Sequence, residues 1–254
     1  MWAIAENTFR EALRNKILYI VAVFVLVMIC SSAVLGLLTL EELDKVIKDL
    51  GLSAIQVLGL LVAIFVGVNL VYDELEQKTI YIAMANGAKR YEFIFGKFLG
   101  LLFTILFNMA AMAFVLLFMI TVIPGTYFTI SILECLFMFI FEVMIITSLA
   151  VLFSCFSSPI ISAVCTFLMF IIGHLSEDLL SFGKIAEDKG YPIVKIICIG
   201  LYYLLPNLEL FNLKNLVVYE KELHVDPIVI IYGLLYTFCM LLLTVVMFRR
   251  KDFR

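Results

Sequence analysis

From residue 98 to residue 123 the chain runs 26 consecutive positions without a charged side chain. A bilayer crossing needs roughly 20 apolar residues. In lipid, each backbone N–H and C=O must find its partner inside the protein, so an unbroken apolar run of this length is read as an α-helix. Composition extends the argument to the whole chain. Of 254 residues, 64% are hydrophobic and 15% charged, with a mean hydropathy of +1.13, against about 45–50% apolar in a soluble domain. The expected fold is an all-α integral membrane protein, one transmembrane domain over residues 1–254.

Six spans are predicted: about Ile17–Leu38, Leu52–Tyr72, Gly96–Ile123, Thr129–Phe153, Pro159–Leu175 and Pro227–Phe248. Ahead of them, residues 1–16 include WAIAENTFREALRNK. There Trp2, Ala5, Phe9, Ala12 and Leu13 share one helical face, and Glu6, Asn7, Arg10 and Arg14 the other. Such a helix lies in the membrane interface. Between the first two spans, TLEELDKVIKDLG predicts a short surface helix, with Thr39 and Glu42 as a capping box and Gly51 as its stop. Pro124-Gly125 predicts a tight turn. Residues 176–226 are mixed. Their apolar core IVKIICIGLYYLLP is too short to cross and is read as a helix that dips in and returns.

Six crossings put both termini on one side, and charge says which. Eleven of the eighteen Lys and Arg fall with the termini and the segment between spans two and three, and seven on the other side. The positive-inside rule therefore makes the termini and residues 73–95 cytoplasmic and residues 176–226 extracytoplasmic. A net charge of -3 points to no nucleic-acid partner.

That cytoplasmic segment, VYDELEQKTIYIAMANGAKRYEFIFGKFLG (71–100), is too charged for lipid and too periodic for a slack linker: Ile80, Met84, Ala88 and Tyr91 recur at helical spacing. It reads as a stiff element presented to a partner. It is no phosphate-binding loop. Gly96-Lys97 is followed by Phe98 rather than Ser or Thr, and Tyr91 stands where glycine is required. No G-x-S-x-G, H-E-x-x-H or Rossmann pattern occurs, and the six cysteines are scattered without metal spacing. His174 and His224 are read as separate outer surface residues.

Two further features stand inside the membrane. Gly59, Ala63 and Gly67, four apart, form a stripe suited to close helix packing. Glu134 and Glu142 lie eight residues apart in the fourth span. Either they line a substrate or proton pathway, or Glu142 is kept neutral by a neighbouring helix through Asn69, Gln56 or Asn108.

The charged segment resembles the cytoplasmic coupling region of ABC-2-type ABC transporter permeases, particularly those of the nitrous-oxide-reductase maturation type. Glu74, Thr79-Ile80, Arg90, Phe93 and Gly96-Lys97 follow that family's order. IAENTFREALRNKILY, LLPNLELFNLK and the closing FRRKDF are similar to it as well, so the likeness covers both ends and the middle. Gly87 stands where the family often has Pro, and Lys78 where it has Gly.

The resemblance implies the membrane subunit of an ATP-driven exporter, itself not an enzyme. ATP and Mg would be bound by a separate ABC ATPase, two copies working with two permeases in a homodimer in the plasma membrane. Glu74, Glu76, Thr79, Ile80, Arg90, Phe93 and Lys97 would form the ATPase-coupling surface, the Gly59, Ala63 and Gly67 stripe would pack at or near the dimer seam, and the outer segment would be free to meet an extracytoplasmic partner. Two other readings remain: a proton-coupled secondary transporter using Glu134 and Glu142, and a membrane scaffold or assembly factor.

Overall fold

The structure, a computed structural model, describes residues 2–14, 18–38, 43–76, 90–189, 191–219 and 225–250. These residues form helices and no strand, an all-α integral membrane protein. The elements are α1 (Trp2–Arg14), α2 (Leu18–Leu38), α3 (Leu43–Glu76), α4 (Arg90–Val122), α5 (Ile130–Ser154), α6 (Pro159–His174), α7 (Ser176–Asp188) and α8 (Pro192–Leu204), then a 3-10 turn at Glu209–Phe211, α9 (Lys214–Val218) and α10 (Pro227–Arg250).

The centre of the bundle is α5. From Ile145 to Leu152 each of its side chains is buried, which a helix achieves only when neighbours cover its whole circumference. Those neighbours are α3, α4, α6 and α10. Hydroxyls inside the bundle turn back on their own helices: Thr104 donates to the Gly100 carbonyl at 2.9 Å and Thr166 to the Ser162 carbonyl at 2.7 Å. Such bonds keep polar side chains satisfied where no water reaches.

Prolines start helices here and do not break them. Pro159 and Pro192 occupy first-turn positions of α6 and α8, where the missing N–H costs no hydrogen bond. The predicted Pro124-Gly125 turn follows α4, with Gly125 at φ 88°, a left-handed conformation glycine adopts without strain. Thr126 donates to the carbonyls of Ile120 and Ile123, closing the end of that helix.

Two boundary expectations fail. The separate surface helix does not exist among the described residues: Leu43 to Leu50 run straight into the second span within α3, with Gly51 buried in the helix interior against Leu116. Thr39 and Glu42 lie outside the described residues. In a bilayer an interrupted ladder leaves backbone groups unpaired, and that penalty outweighs the cost of about 1 kcal/mol for a mid-helix glycine. The third span likewise begins at Arg90, well before Gly96.

The spans themselves are distributed differently from the prediction. Among the described residues four helices, α3, α4, α5 and α10, are long and apolar enough to cross, and the count reaches six if each of two bent pairs is one span. One pair is α6 with α7, bent by 61°; the other joins α8 to the Glu209–Val218 stretch at 52°. The predicted first span is the 21-residue α2. The predicted fifth is only the 16-residue α6, which at about 1.5 Å per residue covers about 24 Å. Beyond its bend, α7 and α8 pair into a hairpin with Gly183 against Cys198. The chain then returns to the bend, where the Leu208 N–H donates to the Gly173 carbonyl at 3.0 Å.

Candidate functional site

Sequence residues of interest fall at two levels of the bundle. At one end, α3 stops at Glu76 and α4 starts at Arg90, framing the segment expected to engage a partner. Glu74 and Glu76 sit in the last turn of α3 and Arg90 opens α4; Thr79 and Ile80 lie outside the described residues. Phe93 and Lys97 do not face outward. The Phe93 ring stacks on Phe248 of α10 with centroids 6.2 Å apart. Lys97 is buried, its ammonium 3.9 Å from the half-exposed carboxylate of Glu11 on α1.

The amphipathic face read for residues 2–16 explains that second contact. α1 lies across α4, with Trp2 edge-on to Phe103 at 6.0 Å and Phe9 edge-on to Phe107 at 6.3 Å. The helices meet at Gly100, where a Cβ would stand 2.6 Å from the Ala5 carbonyl and from the Thr8 Cβ. Glu6 and Arg10 pair at 2.6 Å on the exposed face. The start of α4 is thus held by helices near both chain ends.

The small-residue stripe is buried in this same chain. A Cβ on Gly59 would rest 3.5 Å from Met109 of α4, and one on Gly67 3.4 Å from Ala150 of α5; Ala63 is fully buried between them. The stripe lets α3 approach two of its own neighbours, so it is not open as a dimer seam.

Along α5 the two acids part company. Glu134 is half-buried. Glu142, on a different face of α5, is buried and meets two other helices. The Gln56 amide nitrogen on α3 donates to its carboxyl oxygens at 3.0 and 2.9 Å. That nitrogen also lies 3.2 Å from Nε2 of His174, the last residue of α6. The imidazole is 3.6 Å from the carboxylate and 3.2 Å from the Phe170 carbonyl through Nδ1. A charged side chain at mid-bilayer costs about 2.5–3.5 kcal/mol, and this arrangement supplies both a hydrogen-bond donor and an ionisable base against it.

Of the three partners expected for Glu142, Gln56 is the one observed. Asn108 is buried elsewhere on α4 with no hydrogen bond to its amide among the described residues, and the Asn69 side chain is outside the described set. His174 is the correction. It is no separate surface residue, because the bend after α6 turns its ring inward, over Phe170 at 4.4 Å. Lys214 was also missed. From α9 it donates to Ser53 Oγ at 2.8 Å and faces Asp49 at 3.7 Å. A signal was present: Asp49, Ser53 and Gln56 recur at spacings of four and three and so share one face of α3.

Among the described residues no group of three His, Cys, Asp or Glu side chains is placed to hold a metal ion. A family model described as ABC-2 family transporter protein matches residues 2–253. No curated protein matches the chain.

Proposed function

The chain belongs to the ABC-2 family of transporter proteins, and on that premise we propose that it is the permease subunit of an ATP-driven exporter, moved by an ABC ATPase it does not contain. It is a multi-pass membrane protein of a transporter family. In this reading it sits in the plasma membrane with both termini cytoplasmic, as two copies with two ATPases. ATP and Mg bind in those partners and none in this chain. Residues 1–254 act as one permease domain, and residues 176–226 form its extracytoplasmic cap, open to a partner there.

The observation carrying the reading is the anchorage of α4. Its first turns are fixed to α10 by Phe93 on Phe248 and to α1 by Lys97 near Glu11. A push delivered at residues 77–89 therefore moves three helices together, as an energy-coupling element requires. Glu74, Glu76, Thr79, Ile80 and Arg90 are the residues assigned to the ATPase contact. Phe93 and Lys97 pass motion inward.

Purifying the tagged chain from its native membrane tests this. An ABC ATPase accompanies it, and hydrolysis by that ATPase rises in the complex. Glu74→Lys or Thr79→Lys removes the ATPase while leaving membrane insertion at wild-type yield. Co-purification of the ATPase with both variants at full stoichiometry overturns the assignment. An ATPase that binds, with no substrate moved, points to the scaffold.

A further inference from the structure

A file of polar groups descends from one end of the bundle to Glu142. Asp49 and Ser53 on α3 meet Lys214 of α9; one turn deeper Gln56 meets Glu142 and His174. Side-chain exposure falls along the file from 49% at Asp49 to 22% at Lys214, 18% at His174 and 3% at Glu142. The open end is the one where Asp44 of α3 receives the Tyr127 N–H, opposite the α3–α4 connection.

Beyond Glu142 the file stops. Thr147, Ser148 and Ser154 of α5 each donate to a carbonyl of their own helix at 2.6–2.7 Å, and Ile145 to Leu152 are buried throughout. A buried acid with a polar approach from one end and, at the other, a closed wall whose hydroxyls are bonded to their own helix is placed to exchange protons on one side only.

We propose that Glu142 is a proton-binding site reached solely from the membrane side bearing Asp49 and Lys214, with Gln56 and His174 passing its charge state to α3 and α6. The heavy-atom frame accommodates one shared proton in two places. On Nε2 of His174, it gives an imidazolium facing Glu142 at 3.6 Å, and the Gln56 amide directs both its N–H groups to the carboxylate instead of the ring. On the Glu142 carboxyl, it leaves Nε2 to accept from the Gln56 amide at 3.2 Å. A further proton from solvent charges the site positive; loss of the shared one leaves it negative. Either change alters what holds α3 to α5 and what holds α6 at its bend.

The groups facing this site are Gln56 from α3, His174 from α6, Glu209 from the 3-10 turn, Lys214 from α9 and Cys135 from α5 itself. On α10, Tyr232 accepts the Asn207 N–H at 2.9 Å, with Tyr236 beside it. From Phe98 to Val122, α4 carries no titratable side chain; Arg90, Tyr91, Glu92 and Lys97 all lie in its first turns, at the opposite end.

The inference does not rest on an ATPase partner, and its test needs none. The full chain is placed in vesicles of known orientation and treated with dicyclohexylcarbodiimide, an apolar reagent that labels protonated carboxyls. The pH is set separately on each side, and the adduct on the Glu142 peptide is measured by mass spectrometry. Lowering the pH on the Asp49 side raises the labelling rate by up to about tenfold per unit, while the other side has no effect. Lys214→Met changes that response and Glu142→Gln removes the adduct. Labelling that follows the opposite side, both sides equally or neither overturns the proposal, and this holds in the wild-type chain even where a variant does not fold.

Discussion

The Gln56 amide nitrogen lies 3.0 and 2.9 Å from the two oxygens of Glu142, joining α3 to α5 across 86 residues of sequence. The contact is asymmetric in its consequences, because removing the donor strands an acid whereas replacing the acid leaves an amide pair.

Gln56→Leu therefore destabilises the bundle by about 1–3 kcal/mol, the cost of a buried polar group left without its partner. Glu142→Gln costs less, nearer the roughly 0.6 kcal/mol typical of a hydrogen bond between membrane helices. Unfolding in mixed detergent and dodecyl sulfate micelles ranks the two; an equal or reversed order contradicts the pairing.

Gly100→Leu separates α1 from α4. The new side chain enters space held by Ala5 and Thr8, and overpacking of this kind costs about 1–3 kcal/mol. Trp2 is the chain's single tryptophan, so its fluorescence reports the displacement without further labelling. Unchanged Trp2 emission and quenching would show that α1 does not rest there.

Gly173→Leu detaches the segment that folds back onto the α6–α7 bend. A Cβ at Gly173 already stands 2.6 Å from Leu208 Cγ and 2.9 Å from the Pro206 carbonyl. A loss of about 1–3 kcal/mol is expected, with faster amide exchange over residues 207–213. Exchange that stays at the wild-type rate argues against the contact.

Phe248→Leu removes the ring stacked on Phe93, a loss of about 0.5–1.5 kcal/mol beyond burial. In a complex with the ABC ATPase proposed above, the variant hydrolyses ATP but moves less substrate per nucleotide. A transport ratio equal to wild type would place the relay elsewhere.

Hydropathy alone disclosed α3, α4, α5 and α10, because their apolar runs are long and lipid admits few backbone arrangements. The face of α1 was equally plain from its spacing of three and four. What stayed hidden was tertiary. Gly51 looks like a stop in water but sits inside a lipid-embedded helix. His174 looks like a surface residue until the 61° bend after α6 turns it inward. The glycine stripe showed that α3 packs closely without showing against which helices. Lys214 lies 161 residues from Ser53, and a single sequence carries no periodicity across that distance.

The lengths of α3 and α4 have a mechanical consequence. With 34 and 33 residues, each is a rod of about 50 Å, well over the roughly 30 Å of hydrocarbon it crosses. Pivoting such a rod by about 5° sweeps its far tip through about 4 Å. Under the proposed coupling, a small rocking delivered at residues 77–89 would be geared up into a displacement, at the opposite mouth, comparable to the width of a side chain.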